Sequence, residues 1–166
     1  MPELKTIGRD AIPRAIQKAE RYRLLNQPWA TESICLDILE VDSDNQPVVV
    51  MLLLAITDQF GPSPRALAGR ARDALARVTD PYQKAYYTGI INERLGHAQL
   101  EHDAMHAESM ANDALRKAMA SYEDAERLRP PGNDDAILRW NTCARILDRL
   151  RAEAEDEGKY EPVFGE

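Results

Sequence analysis

The sequence predicts an all-α protein built as a stack of antiparallel helix hairpins, about three of them followed by a capping helix. Three observations carry that expectation. Apolar residues recur at three- and four-residue intervals through most of the chain, and few stretches alternate as a half-buried strand would. Prolines at positions 13, 28, 47, 64 and 81 stand where a helix would begin, and a first turn has no use for the missing N–H. Alanine, leucine, arginine and glutamate, all good helix formers, dominate the composition.

Taken in order, Ile12, Ile16, Ala19, Tyr22 and Leu25 recur on one side of a first helix, which Asn26-Gln27-Pro28 ends. The second helix runs from Pro28 to about Val41, with Trp29, Ile34, Ile38 and Leu39 expected on one stripe. Asn45 is a natural cap for a third helix, Gln46 to about Gln59, in which Pro47 sits in the first turn. Its run from Val48 to Ile56 is apolar nearly all round, so it is expected at the buried centre. Pro64 opens a fourth helix whose Ala66, Leu67, Ala71, Ala74, Leu75 and Val78 should face inward. Thr79 or Asp80 caps a fifth, beginning at Pro81 and carrying Tyr82, Tyr86, Ile90, Ile91 and Leu95.

No proline marks a turn between Gly96 and Asn112, but one helix from Pro81 to Leu128 would be very long for a compact domain. A break is therefore expected around Asp103 to Glu108, with a sixth helix from about Ser109 to Leu128. Arg129-Pro130-Pro131-Gly132 stops it. Asn133 or Asp134 caps a seventh helix carrying Ile137, Leu138, Trp140, Ile146, Leu147 and Leu150. The domain so defined spans residues 12–151, between a loose segment 1–11 and an acidic, frayed tail 152–166.

The totals exclude several functions. A formal net charge of −7 disfavours generic nucleic-acid binding through phosphate neutralisation. Met1 to Asp10 has no apolar stretch behind its Lys5 and Arg9, so no signal peptide is expected. The longest apolar run is far too short to span a bilayer. Cys35 and Cys143 lie far apart and form no CxxC pair, as expected of two buried thiols in a reducing cytoplasm. No glycine-rich phosphate loop and no GxSxG elbow occurs, so neither catalytic residues nor a cofactor are expected.

Three successive stretches of this pattern resemble the tetratricopeptide repeat. In Ile12 to Asn45, Ala19 and Tyr22 match a small residue followed three positions later by an aromatic one, and LEVDSDN fits the closing turn with Ser43 in place of proline. Thr31 and Ile38 stand where small residues are usual. The second unit, Gln46 to Pro81, ends in the better-fitting TDP. The third starts with Gly89 and Gly96 and closes with Ala118, Tyr122, Ala125 and Pro130 at the family's spacing. About seventeen extra residues separate its two halves, relative to the ideal repeat of roughly 34 residues. Either both helices of this unit are longer than usual or a loop protrudes. The resemblance covers Ile12 to Pro130 and implies a right-handed stack, a last helix that caps it, and a non-enzymatic scaffold that binds a protein or peptide. It further implies a groove lined by the first helix of each pair, which puts Tyr22, Asn92, Arg139 and Asn141 forward as contact residues.

Charge segregation and composition add to those candidates. Leu24 to Pro64 contains no lysine or arginine but holds Glu32, Asp37, Glu40, Asp42, Asp44 and Asp58, with basic residues on both flanks. The block is either balanced internally between stacked helices or forms an acidic surface, in which Asp37 is a candidate contact. Trp140 and Arg145 are either core and solvated face or part of a binding hot spot, where tryptophan and arginine are over-represented. His102 and His106 are four apart, the spacing of a metal pair, but HDAMH lacks the HExxH order and a solvated helix end is preferred. The expected protein is thus a cytoplasmic binding scaffold with no nucleic-acid or membrane partner. A self-assembling homodimer is the main alternative, and a metal-binding helical protein is a further one.

Overall fold

The computed structural model describes residues 2–61, 64–101 and 106–157, and among them every regular element is a helix. A 3-10 turn, Arg9–Ala11, leads into α1 (Ile12–Leu24), followed by α2 (Pro28–Val41), α3 (Gln46–Thr57) and α4 (Pro64–Ala76). Two long helices, α5 (Pro81–Leu100) and α6 (Ala107–Leu128), precede α7 (Asp135–Glu157). Each helix packs mainly against its chain neighbours, so the architecture is the expected helix stack.

Local chemistry sets the boundaries. Prolines stand in the first turn of α1, α2, α3 and α5. The Asn45 side chain accepts from the Val48 N–H at 3.3 Å, and Asp80 Oδ1 accepts from the Gln83 N–H at 2.8 Å. Of the two caps open before α5, Asp80 is therefore the one used. Before α7, Asn133 Oδ1 accepts from the Asp135 N–H at 3.0 Å. Asn26 ends α1 in the left-handed region, φ 56°, which asparagine tolerates better than most residues.

Two apolar clusters fill the interior. The first draws on α1 to α5 and includes Ala19, Cys35, Ile38, Val48, Leu53, Ile56, Val78 and Ile91. Val48, Val49 and Leu53 are fully enclosed, so α3 is the centre that its composition predicts. The second cluster joins α5, α6 and α7 through Ile90, Leu115, Ala118, Tyr122 and Cys143. Leu54 and Tyr87 pack on both clusters, and α5 joins them by giving Ile91 and Ala98 to the first and Ile90 to the second.

Helices α5 and α6 are long, 20 and 22 residues. They lie close because α5 is cut away at two points one heptad apart. A Cβ on Gly89 would overlap the Tyr122 ring, and one on Gly96 would stand 2.9 Å from Leu115. The break between α5 and α6 falls at residues 101–106, of which 102–105 lie outside the described residues.

Several expectations need correction. Trp29 is 67% exposed rather than on the inner stripe of α2. It is five residues before Ile34, and at about 100° per residue that places it roughly 140° round the helix. Ala66 is exposed, and Ala68 takes the inward position instead. The segment before α1 contributes contacts: Ile7 packs on the first cluster and Arg9 Nη2 donates to the Val41 carbonyl at 2.9 Å. Helix α7 continues six residues beyond Arg151, to Glu157.

Candidate functional site

The charged residues between the helices are concentrated on the face shared by α1, α3, α5 and α7. Asp58 caps the C-terminal end of α3, where the helix dipole disfavours a negative charge. Two arginines offset this. Arg23 of α1 donates through Nε at 2.7 Å and Nη2 at 3.4 Å, and Arg94 of α5 donates through Nη1 at 2.5 Å. One carboxylate thus ties the ends of α1 and α3 to the body of α5.

Glu93 forms the second knot. It is only 3% exposed, and a buried carboxylate is costly unless its oxygens are satisfied. Tyr122 Oη of α6 donates to its Oε2 at 2.5 Å, and Arg139 Nη1 of α7 donates to its Oε1 at 3.1 Å. His97 Nε2, one turn along α5, stands 3.9 Å from the same oxygen. Burial and the adjacent Glu93 charge push the Tyr122 phenol pKa upward, which keeps it a donor. Desolvation works against the charge of Arg139, but Glu93 and Tyr86 outweigh it, so its guanidinium is held more firmly protonated than usual. Tyr86 also meets Tyr82, Tyr87 and Tyr122, with ring centroids 5.2–5.9 Å apart, and this aromatic cluster braces the same corner.

Between the two knots lies a cleft of about 530 Å³, whose lining includes Asp58, Glu93, Arg94, His97, Glu101 and Arg139. The bridge from Arg23 to Asp58 connects it with a second, more apolar groove of about 360 Å³ between α1 and α3. Leu24, Pro47, Val50, Met51 and Leu54 line that groove, and Arg23 and Glu20 edge it.

Of the residues put forward from the sequence, Arg139 alone lines the cleft. Asn92 donates to the Thr88 carbonyl on its own helix at 3.1 Å. Trp140 is half-buried, packs on the second cluster and donates through Nε1 to Glu123 Oε1 at 3.0 Å. Tyr22 and Asn141 are half-buried, Arg145 is exposed, and Asp37 sits half-buried on α2; none of the four lines either cavity. The acidic block is balanced internally at two points, since Glu32 pairs with Arg70 and accepts from Gln59, and Asp58 takes its two arginines. His106 is exposed at the start of α6 with φ 73°, and His102 lies outside the described residues. No group of three or more potential metal ligands occurs among the described residues. Likewise, no described helix is long and apolar enough to cross a membrane.

Sequence reasoning missed Glu93, Arg94, Arg23 and Asp58 as a linked set. One signal was present: Glu93 lies between Gly89 and Gly96 on the inward face of α5, where a charge needs a partner. The arginine that answers it is 46 positions away, and helical periodicity carries no information at that distance. Compared with known proteins, the chain matches no protein-family model, no curated protein and no solved structure.

Proposed function

We propose that the chain is a non-enzymatic, protein- or peptide-binding scaffold of the tetratricopeptide-repeat type. Its partner lies on the face of α1, α3, α5 and α7. The observation that supports this most is the set of arginines on that face. Each is held from beneath by a carboxylate that is itself mostly covered. A guanidinium carries five N–H donors, and one or two are spent on Asp58 or Glu93, so the outer edges remain for a ligand. Fixing the side chain in advance lowers the entropy lost on binding. Arginine and tyrosine side by side, next to an apolar groove, is also the composition that interface hot spots favour.

The test is quantitative capture from native extract on the wild-type chain and on Arg94→Gln, with folding checked by circular dichroism. Partners held by the wild type and lost from the folded variant support the reading. Identical capture on both chains would remove this face from consideration. A solution mass of twice the 18.7 kDa chain, with nothing else captured, would favour self-assembly.

A further inference from the structure

We infer that a second copy of this chain docks on the outer face of α2 and α4, with α2 of each copy lying on α4 of the other. This face is separate from the one formed by α1, α3, α5 and α7, and the inference does not depend on the scaffold reading.

Helices α2 and α4 both pack on α3, and two contacts fix their register. Glu32 of α2 pairs with Arg70 of α4. Arg77, just past the end of α4, donates to the Ser43 carbonyl, just past the end of α2, at 2.6 Å. The two helices therefore run side by side in the same direction. Trp29 comes three residues before Glu32, while Ala66 and Gly69 come four and one before Arg70, so all three stand at one level.

At about 100° per residue, Trp29 and Leu36 share the side of α2 turned away from buried Thr31 and Ile38. They are 67% and 49% exposed, and tryptophan is among the side chains that gain most from being covered. The outward strip of α4 is low instead. Ala66, Gly69 and Ala76 are exposed, and no atom lies within 4 Å of the place a Gly69 Cβ would take. One helix thus offers large apolar knobs, and its neighbour offers a shallow seat.

Charge divides the same way. Helix α2 has no lysine or arginine but carries Glu32, Asp37 and Glu40, whereas α4 carries Arg65, Arg70 and Arg72 against the single acid Asp73. A two-fold axis running along the helices, between α2 and α4, lays α2 of one copy on α4 of the other in the same direction. Trp29 then covers Ala66 and Gly69, and Leu36 lies beside Ala76. Asp37 is on the flank of α2 opposite Glu32, and Arg72 is on the flank of α4 opposite Arg70; the same axis brings these two flanks together. Each contact occurs twice, as an isologous interface requires. Laying α2 on α2 would set acid against acid. Knob, seat and both signs of charge lie on one face, so the occupant it fits is itself. Each copy contributes a face of about 20 Å by 20 Å. That is small, so association should be reversible, with its onset at roughly tens of micromolar.

The experiment is sedimentation equilibrium of the full chain from about 1 to 300 μM, a range that brackets this affinity. The average mass should rise from 18.7 kDa toward twice that value, and rise less at high salt. Trp29→Ser and Gly69→Glu should each weaken association by roughly tenfold or more, the scale of a hot-spot loss. Both positions are exposed, and glutamate suits a helix better than glycine, so both variants should stay folded, which circular dichroism checks. Asp37→Arg and Arg72→Asp should each weaken self-association, because each sets like charges together twice. Mixed with each other, those two variants should associate again, since every contact in the mixed pair is then between opposite charges.

A wild-type chain that keeps the mass of one copy throughout the range would overturn the inference. Folded Trp29→Ser and Gly69→Glu that associate as the wild type does would move the interface elsewhere. A mixture of the two charge variants that stays dissociated would refute the seating of α2 on α4. A monomeric wild type that holds a different protein from extract, lost from Trp29→Ser, would give this face to a foreign partner and end the case for a second copy.

Discussion

Cys35 and Cys143 show most directly how single residues in this chain answer to burial. Both are fully enclosed, one in each apolar cluster, and desolvation by burial, with Glu32 or Glu93 nearby, pushes both thiol pKa values from 9.0 to about 12. Native protein should therefore react with a thiol reagent no faster than it opens. Rapid labelling of either thiol under native conditions would contradict its burial. The same shifts predict a pH dependence. A group whose folded pKa is raised contributes stability that is present below its unfolded value and lost as pH rises toward the folded one. The Tyr87 and Tyr122 phenols shift in the same direction, chiefly through burial. Stability to urea should then fall steadily between about pH 9 and pH 12, where unfolded thiols and phenols ionise and buried ones do not. A midpoint that stays level across that window would show that these groups are solvated. Glu93 is buried as well, and its two oxygens accept from Tyr122 and Arg139.

At the scale of the helices, the glycines separate two roles that composition alone confuses. Gly69 lies exposed in α4, and a methyl group added there would have nothing within 4 Å, so Gly69→Ala gains helix propensity and meets no neighbour. It should stabilise the protein by about 0.5–1 kcal/mol. Gly89→Ala offers the same propensity but drives a methyl into the Tyr122 ring, the residue that also satisfies Glu93. It should be destabilising by about 1–3 kcal/mol, the usual size of an overpacked core. Thermal melts of the two variants moving in the same direction would refute the close approach of α5 and α6. Leu53→Ala, in the enclosed part of α3, should cost about 2–5 kcal/mol. These elements show what the sequence makes legible. Proline and asparagine or aspartate caps act within four residues, so the starts of α1 to α5 can be read directly. The inner face of α3 follows from its apolar run. The exposed position of Trp29 could have been found by counting round the helix. The pairing of Arg23 and Arg94 with Asp58 could not, because it depends on how three helices are stacked, with the partners 35 and 36 positions apart.

For the molecule as a whole, the question is whether two apolar clusters make one cooperative unit. In a stack whose elements touch mainly their neighbours, cooperativity depends on the interfaces between units as much as on the units themselves. The seam here runs along α5, which gives Ile91 and Ala98 to the first cluster and Ile90 to the second. Leu54 and Tyr87 pack on both clusters, and the Asp58 carboxylate joins α1 and α3 to α5 beside them. The chain carries its own reporters of each side, because Cys35 is enclosed in the first cluster and Cys143 in the second. Pulsed thiol labelling across a urea series, read cysteine by cysteine with mass spectrometry, follows the two clusters separately. In the wild type both thiols should become reactive over the same urea range, as a two-state domain requires. Leu53→Ala weakens the first cluster without touching the seam, so it should lower both midpoints together. Leu54→Ala removes a contact common to both clusters, so it should draw the two midpoints apart, with Cys143 labelled over a different range from Cys35. Midpoints already separate in the wild type would mean that the halves fold independently. Midpoints that stay together in Leu54→Ala would place the coupling in the arginine–aspartate bridge, where Asp58→Asn is the variant that should separate them.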